Sequence, residues 1–339
     1  MRILVVGQGI AGSVLAYTLQ EAGCPTDIMD PNPSSSASKV AAGIIDPLAG
    51  QRYLLAWQAT SLLPVAIAFY RSLEYKFKTR FFFPLPMIRF FNSSQDVSAW
   101  RKKKVQSPAS HYFDAILSPR SYPLAGTHGG VTISATGYLN TPYFLTCMRD
   151  YFIEKNRYIQ GFFSEKKAHD ATYNLVIFCE GYAASANPLF GHLPFQSVQG
   201  DCLDILCPSL GEDHILHQNK FILPTGSSVF RVGATYNRQW DNSSPTPLGA
   251  NELVRFLTGF IPGHPYILKN HLSGIRPAVQ DGRPIIGIHP QFPHIGIFNG
   301  LGSRAVMSAP YLANMWRDFL RYKTHIPKEI SLDRFATIP

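Results

Sequence analysis

The sequence has no apolar run approaching the ~20 residues of a membrane-spanning helix, and its five cysteines form no CxxC pair. An odd number of cysteines without such pairs favours free thiols in a reducing cytoplasm. None of the eleven histidines belongs to a cluster with metal-ligand spacing. His214 and His217 come nearest to one, but in a strand-like segment they would point to opposite faces. We therefore predict a cytoplasmic chain with neither a membrane span nor a metal site.

Acidic residues are also scarce. The chain has 22 acidic and 31 basic residues, which gives a formal net charge of +9. This charge attracts anions, which include phosphate-rich cofactors, acidic substrates and nucleic acids. The densest basic run is Arg-Lys-Lys-Lys at 101–104, and residues 75–80 interleave aromatic with basic side chains. No nucleic-acid fold signature accompanies either run. We therefore interpret both as solvated surface, with nucleic-acid binding as the alternative.

The first thirty residues have the pattern of a strand, a tight turn, a helix and a second strand. The apolar run 3–6 is typical of a buried parallel strand, and it stops at Gly-Gln-Gly-Ile-Ala-Gly. In this setting Gly7 makes the turn, Gly9 admits a pyrophosphate and Gly12 lets helix and strand pack closely. The helix N-terminus would hold the pyrophosphate, and Asp30 would bond ribose hydroxyls. The unit predicts a dinucleotide site.

Small residues follow this unit. Residues 38–45, Ser-Lys-Val-Ala-Ala-Gly-Ile-Ile, lead into an apolar run. They allow the backbone to approach a flat ligand beyond the pyrophosphate, or alternatively allow a helix to pack tightly on a neighbour. Residues 53–73 then predict a long helix with a kink at Pro64.

The pattern changes to short aromatic strands after Arg80, which indicates the start of a second, antiparallel domain. Residues 129–133 are interpreted as leading back towards the nucleotide domain, followed by a capped helix at 141–154. A further strand-rich stretch at 197–236 belongs to the second domain. A chain of 339 residues can bury two such cores.

A second glycine-rich turn lies near the end of the chain. A predicted strand at 295–298 enters Asn-Gly-Leu-Gly-Ser-Arg-Ala at 299–305, and a helix continues to Tyr322. This turn repeats the strand-to-helix arrangement of the first one. We therefore predict that the chain alternates between one nucleotide domain and one interleaved sheet domain.

Taken together, these motifs resemble the D-amino-acid oxidase-like (DAO) superfamily of FAD-dependent oxidoreductases, which includes the glycine and sarcosine oxidases. The resemblance covers nearly the whole chain. Beyond the first turn and Asp30, it rests on Ala-Ala-Gly-Ile at 41–44, Gly-Ala-Thr at 233–235 and Gly-x-Arg-Pro at 274–277. The turn at 300–304 looks most like the FAD-dependent oxidase domain of the bifunctional enzyme that modifies tRNA wobble uridine.

The resemblance implies an α/β fold in which a Rossmann-like FAD-binding domain is interleaved with a mixed, largely antiparallel β-sheet substrate domain. The expected FAD-binding domain is discontinuous and comprises 1–75, 129–196 and 271–325, the substrate-binding domain comprises 76–128 and 197–270, and 326–339 is a C-terminal tail. The residues expected to contact FAD are Gly7, Gly9, Ile10, Ala11, Gly12, Asp30, Pro31, Ser38, Ala41, Ala42, Gly43, Ile44, Phe163, Gly181, Gly300, Leu301, Gly302, Ser303, Arg304 and Ala305.

The resemblance also implies which residues handle the substrate, with Arg276 and Tyr236 as the expected catalytic residues. Arg276 would pair with a substrate carboxylate, because arginine offers two parallel N–H donors. A structural arginine that bridges strands is the alternative. Phe221 and Ser303 stand where glycine oxidase has a tyrosine and an arginine, so glycine is not expected to be the substrate. Ala278 replaces the cysteine that links flavin in sarcosine oxidases, so FAD is expected to bind non-covalently.

The implied activity is oxidation of a C–N bond in a small amine or amino acid. A hydride passes to flavin N5, the imine hydrolyses, and dioxygen or another acceptor reoxidises the flavin. The alternatives are oxidation of a tRNA wobble-uridine side chain, a 2-hydroxy-acid dehydrogenase of the same superfamily, and a flavin-binding protein without enzymatic activity. The expected partner is a small molecule, with tRNA less favoured.

Overall fold

The structure, a computed structural model, describes residues 1–33, 36–50, 53–104, 109–118, 124, 128–164 and 172–335, with only the backbone of residues 102–104. The helices are α1 (Ile10–Glu21), α2 (Ala37–Val40), α3 (Ala59–Phe77), α4 (Ser94–Lys104), α5 (Thr141–Glu154), α6 (Pro247–Phe260) and α7 (Ala305–Tyr322). The strands are β1 (Ile3–Val6), β2 (Thr26–Asp30), β3 (Ile44–Ile45), β4 (Leu48–Ala49), β5 (Leu54–Leu55), β6 (Phe82–Pro84), β7 (Met87–Phe90), β8 (Phe113–Leu117), β9 (Gly130–Ile133), β10 (Gly137–Leu139), β11 (Tyr158–Gln160), β12 (Leu175–Phe178), β13 (Val198–Leu206), β14 (Ile215–His217), β15 (Phe221–Gly226), β16 (Val229–Gly233), β17 (Ile267–Arg276), β18 (Ile285–Ile288) and β19 (Ile295–Asn299). Within the described residues, no helix combines the length and apolarity needed to cross a membrane.

A six-stranded sheet with the order β11-β2-β1-β12-β19-β18 carries the first glycine-rich turn. Its strands are parallel except for β18, which runs antiparallel to β19. Ile3 pairs with Leu175 on one side of β1 and with Thr26 on the other. The chain therefore leaves β1 in one direction for β2 and later returns on the opposite side as β12. The carboxyl end of β1 lies at this switch point, where open α/β sheets bind their ligands.

Both faces of this sheet are covered, which explains why β1 and β12 are continuous apolar runs. Side chains alternate between the two faces along a strand. Ile3 and Val5 pack in one cluster with Val14 and Leu15 of α1. Residues of the opposite face, Leu4 and Val6 among them, pack in another cluster with Phe190.

The second large sheet has eight strands in the order β17-β13-β16-β15-β14-β7-β9-β8. Its neighbouring strands are antiparallel except for β14 and β7, which run parallel. Ile88, Leu216 and Ile222 pack on one face against Leu253 and Leu257 of α6. The alternating residues of the same strands face the other side. The predicted combination of a parallel sheet with a largely antiparallel one is therefore confirmed.

The prediction of a helix over 53–73 is wrong at its start. Tyr53 and Gln58 have positive φ angles of 53° and 51°, which interrupt a right-handed helix. The chain instead forms the small β4-β5 hairpin, and α3 begins at Ala59 and extends to Phe77. Pro64 lies inside α3.

Two segments that the sequence places in the FAD-binding domain lie in the eight-stranded sheet. Strand β9 pairs with β7 and β8, and β17 pairs with β13 as far as Arg276. The position of these strands follows from long-range pairing, which the local pattern does not contain. The division into two domains stays a prediction, and we propose to move its boundaries from 129 and 271 to about 134 and 277, after these strands.

Candidate active site

The turn between β1 and α1 brings the predicted glycines into close contact with the backbone. Gly7 has a φ of 103°, and a Cβ on Gly12 would lie 1.8 Å from the Gly7 carbonyl oxygen. A side chain at position 12 is therefore excluded. A Cβ on Gly9 would lie 3.0 Å from Ser38 Oγ. Glycine at position 9 thus keeps open the gap between the turn and the segment that contains Ser38.

The start of α1 is suited to an anion. It has no side-chain cap and no acidic residue in its first turn, so backbone N–H groups and the positive end of the helix dipole remain available. The N–H of Ile10 donates to Ser38 Oγ at 3.1 Å. Asp30 is buried at the end of β2 and accepts from the N–H groups of Gln8 and Asn32 at 2.7 and 2.6 Å. These features fit a dinucleotide whose pyrophosphate meets α1 and whose ribose meets Asp30.

The small-residue segment 41–44 is held between the two sheets. Gly43 has a φ of 69°, and a Cβ there would lie 1.9 Å from the carbonyl oxygen of Leu139. On the other side, Arg231 donates from Nη1 to the carbonyl of Val40 at 3.2 Å and pairs through Nε with Asp204 at 2.8 Å. The segment is therefore fixed as an extended path with small side chains.

The second turn contacts the Gly-x-Arg-Pro motif. Gly300 and Gly302 have φ angles of 73° and 59°, and the N–H of Gly302 donates to the carbonyl of Pro277 at 2.9 Å. Asn299 donates from Nδ2 to the carbonyl of Gly181 at 2.9 Å. Three segments that are far apart in the chain therefore meet at this turn.

A cavity of about 290 Å³ lies between the eight-stranded sheet and the start of α7. The residues that line it are Ile44, Asp46, Gly50, Met87, Arg89, His217, Gln218, Asn219, Phe221, Tyr236, Ser303, Arg304 and Met307. Ile44 and Ser303 belong to the two segments predicted to contact the cofactor. The cavity therefore opens where those segments meet the face of the sheet opposite α6.

Strand pairing places Arg89 and His217 side by side in this cavity. They are register partners in the parallel pair of β7 and β14. Only 5% of Arg89 is exposed, and its Nε has no hydrogen-bond partner in the described part of the chain. Burial and the neighbouring Arg89 charge lower the pKa of His217 to about 3, against the opposing effect of Asp46. His217 is therefore neutral near neutral pH.

Asp46 and Arg304 complete this polar end of the cavity. Arg89 forms an ion pair with Asp46 through Nη2 and donates from Nη1 to the carbonyl of Gly50 at 2.7 Å. Arg304 donates to the carbonyls of Asp46 and Leu48 at 3.1 and 2.9 Å. Burial lowers the pKa of Arg304; Arg89 lowers it further, while Asp46 and Tyr236 raise it. An arginine stays charged even so. This end of the cavity therefore contains two guanidinium groups and one carboxylate, and the carboxylate pairs with Arg89.

Arg276 and Tyr236, the predicted catalytic residues, are in contact. The guanidinium carbon of Arg276 lies 4.7 Å from the centroid of the Tyr236 ring, and Nη1 donates to the carbonyl of Thr235 at 3.3 Å. Tyr236 lines the cavity, and Arg276 stacks on its ring without itself being part of the lining. A Cβ on Gly200 would lie 2.2 Å from Arg276 Nη2, so glycine at that position makes room for the guanidinium.

The structure therefore brings most of the predicted site residues into two groups. The first surrounds the start of α1 and comprises Gly7, Gly9, Ile10, Ala11, Gly12, Asp30, Pro31 and Ser38. The second lies at the cavity or the second turn and comprises Ile44, Gly181, Gly300, Leu301, Gly302, Ser303, Arg304, Ala305 and Tyr236. Arg276 joins this group through its contact with Tyr236, and Ala41, Ala42 and Gly43 form the segment that leads to Ile44. Phe163 lies apart from the cavity and packs edge-on against Phe178 at 4.9 Å. Contact of these residues with a cofactor stays a prediction.

Sequence reasoning missed five polar residues of the cavity, of which Asp46, Arg89 and His217 are titratable and Gln218 and Asn219 are amides. The sequence offered one indication for Arg89, because a charged residue that interrupts the apolar strand Met87–Phe90 needs a partner when it is buried. Asp46 follows the predicted apolar run and gave no such signal. His217 was considered only as a metal ligand. Its neighbour Arg89 comes from a strand that precedes it by more than a hundred residues.

The chain matches known proteins over nearly its whole length. The sequence profile of the family described as DAO, FAD dependent oxidoreductase, matches residues 2–318. The bifunctional tRNA 5-methylaminomethyl-2-thiouridine biosynthesis protein MnmC of Marinobacter nauticus is 22% identical over 93% of this chain and 55% of its own length. Glycine oxidase of Bacillus licheniformis is 30% identical over 37% of this chain and 35% of its own length. The chain thus spans about half or less of these relatives.

Solved structures share the fold. Iminodiacetate oxidase from Chelativorans sp. BNC1 superposes with a TM-score of 0.81 at 18% identity, covering 97% of this chain and 98% of that one. Glycine oxidase from Bacillus cereus has a TM-score of 0.76 at 15% identity, covering 96% of both chains.

These matches confirm the family that the motifs indicated and, with it, FAD as the cofactor. They agree with a nucleotide turn at the start of α1 and a second glycine-rich turn whose residues Ser303 and Arg304 line the cavity. The chain belongs to the DAO family of FAD-dependent oxidoreductases.

Proposed function

We propose that this chain oxidises a C–N bond of a small amine or amino acid. The observation that carries the proposal is the cavity itself, where Ile44 and Ser303 of the predicted cofactor segments line the same space as Tyr236, three residues after the end of β16. When bound, FAD supplies the acceptor for two electrons from the C–H bond beside the nitrogen. A volume of about 290 Å³ is at the small end of ligand pockets and suits a metabolite of a few heavy atoms.

The side chains of the cavity would each contribute to binding. Met87, Phe221 and Met307 provide apolar walls that exclude water. Arg276, oriented by Tyr236, would hold a carboxylate next to the reacting carbon through its two parallel donors. Glycine oxidase, a relative, and iminodiacetate oxidase, a structurally similar protein, are named after substrates that are amines bearing a carboxylate. These names support the proposed substrate class.

The prediction is tested by the cofactor and by a substrate panel. The purified protein is expected to be yellow, and heat denaturation should release all of its flavin as FAD, since Ala278 offers no thiol for a covalent link. Stopped-flow measurements of flavin bleaching with amino acids, secondary amines and 2-hydroxy acids then identify the substrate class. Bleaching by 2-hydroxy acids and not by amines would replace the amine proposal with the hydroxy-acid alternative. A colourless protein that binds NADH and not FAD would contradict both.

Oxidation of a tRNA wobble-uridine side chain is the second candidate. It is favoured by the alignment with MnmC over 93% of the chain and by the net charge of +9. Binding that neutralises several phosphates falls log-linearly with salt, with a slope of about −0.7 to −0.9 per phosphate. We expect weak, non-selective tRNA binding at physiological salt. Nanomolar binding that distinguishes tRNA from other RNA would make this candidate the preferred one.

The cytoplasmic location of the protein stays a prediction.

A further inference from the structure

We infer that the end of the cavity formed by Arg89, Arg304 and Asp46 binds a second carboxylate of the substrate, so that the substrate is an amine with two acidic groups. This inference rests on the proposed function, because it takes the cavity as the substrate site. Three independent features of the described residues carry it.

The first feature is charge. Arg89, Arg304 and Asp46 are the charged residues among the described residues that line the cavity, since His217 is neutral there. Two positive charges and one negative charge leave one positive charge in a largely buried place. A buried charge without a partner is costly, and an anion that enters beside it removes that cost. The excess of one charge matches one carboxylate better than a dianionic phosphate.

The second feature is the hydrogen-bonding capacity of Arg89. Its two terminal nitrogens are occupied by Asp46 and by the carbonyl of Gly50. Its Nε is buried and has no partner in the described part of the chain. Buried donors without a partner are rare in folded proteins. Arg89 lines the cavity, so this unsatisfied donor lies just behind the cavity wall, where an anion at the wall would compensate the charge of the guanidinium group.

The third feature is position. Tyr236 lines the same cavity as Arg89 and Arg304, and the guanidinium group of Arg276 stacks on its ring. Met87, Phe221 and Met307 add apolar surface to the lining. One carboxylate held through Arg276 and another at the Arg89 and Arg304 end would place the amine nitrogen between them. A substrate with a single carboxylate would leave the second cationic group unmatched.

Binding can be measured without turnover. The FAD-loaded enzyme is titrated with succinate, propionate and 3-phosphonopropionate, and the dissociation constant is read from the change in the flavin absorption spectrum. We expect succinate to bind at least tenfold more tightly than propionate, because a charge-assisted hydrogen bond is worth roughly this factor or more. We expect 3-phosphonopropionate to bind no better than succinate.

The Arg304→Met variant should reduce the preference for succinate to about twofold or less. The matched control is Arg321→Met, which removes the same charge from an exposed position about 25 Å further along the same helix, and it should leave the preference unchanged. Arg304 also holds the segment 46–48 through two hydrogen bonds, so its loss affects local order. Gln218→Glu is therefore the second variant. It keeps both arginines, adds a carboxylate to the cavity lining and should weaken succinate binding more than propionate binding.

Equal affinity for succinate and propionate in the unmodified enzyme would overturn the inference. So would a preference for succinate that persists in both Arg304→Met and Gln218→Glu. Tighter binding of 3-phosphonopropionate would overturn the assignment to a carboxylate. The proposed function is tested separately. If no amine bleaches the flavin while the preference for succinate still depends on Arg304, the proposed function is wrong and the second carboxylate site is retained.

Discussion

The guanidinium group of Arg276 lies over the ring of Tyr236, with 4.7 Å between the guanidinium carbon and the ring centroid. A cation above an aromatic face is attracted by about 0.5–2 kcal/mol, depending on exposure. Because the two side chains are in contact and Tyr236 lines the cavity, the orientation of each depends on the other. The predicted substrate arginine is thus held in place before any substrate binds.

Replacing Arg276 by lysine keeps the charge but removes the bidentate donor pair and weakens the stack. We expect the variant to lose about 2–4 kcal/mol of transition-state stabilisation, seen as slower flavin reduction at low substrate. Stopped-flow reduction with the best amine of the panel is the measurement. The control is Arg283→Lys, since Arg283 also stacks on an aromatic ring, that of Trp57 at 5.2 Å, but Trp57, unlike Tyr236, does not line the cavity. Normal flavin reduction by Arg276→Ala would exclude Arg276 as the anchor.

Replacing Gly12 by alanine is expected to abolish FAD binding and to destabilise the fold. A Cβ at this position would lie 1.8 Å from the Gly7 carbonyl oxygen, so the turn and α1 must separate. Flavin content per chain and the free energy of unfolding in urea measure the effect. Gly259→Ala is a matched control, because Gly259 also lies in a helix but a Cβ there would meet no atom within 4 Å. The control should retain FAD and gain up to about 1 kcal/mol. Equal FAD content in both variants would contradict the prediction.

Removing one partner of the buried ion pair of Arg89 and Asp46 should be more harmful than removing both charges. Arg89→Met leaves a largely buried carboxylate, and we expect a loss of about 3–5 kcal/mol in the free energy of unfolding. The double variant Arg89→Met, Asp46→Asn should recover at least half of it, since no uncompensated charge remains. Urea unfolding of the FAD-loaded proteins measures both. If the double variant is no more stable than Arg89→Met, the pair is not the source of the loss.

His217 should make the stability depend on pH in the acidic range. Its folded pKa of about 3 lies below the unfolded value of about 6.5, so between these values the unfolded chain binds the extra proton. The contribution of His217 to the free energy of unfolding is therefore complete above about pH 6.5 and is lost as the pH falls towards 3. Compared with His217→Gln, the unmodified protein should lose about 1–2 kcal/mol more between about pH 7 and pH 4.5, allowing for solvent in the cavity. Parallel stability curves for the two proteins would show that His217 titrates normally.

The parts of the fold that the sequence predicted are those with strong local patterns. The first turn, the helix capped by Asn140 and the last helix up to Tyr322 each have a strand, cap or glycine signal within a few residues. The start of α3 could not be predicted in the same way. The segment before it contains apolar residues at helical spacing, and the left-handed conformations of Tyr53 and Gln58 separate them from the helix.

The cofactor side of the site was accessible from the sequence, whereas the polar end of the cavity was not. Glycines that permit close approach carry their own signal, as at Gly12 and Gly43. Arg89 and His217 become neighbours only because β7 and β14 pair in parallel with a particular register. Arg304 was predicted to contact the cofactor, but its hydrogen bonds to the carbonyls of Asp46 and Leu48 depend on the packing of two distant segments.

The order of strands in the six-stranded sheet has a consequence for the nascent chain. Strand β1 is translated first, but its neighbour β12 begins at residue 175, and β19 beyond it ends at Asn299. At about 5–20 residues per second, at least ~15 seconds separate the synthesis of β1 from that of β19. During this interval β1 can pair with β2, but its other edge lacks β12, and an unpaired apolar strand edge is prone to aggregation. The second glycine-rich turn follows β19, so the two turns exist together only after residue 304 has been synthesised.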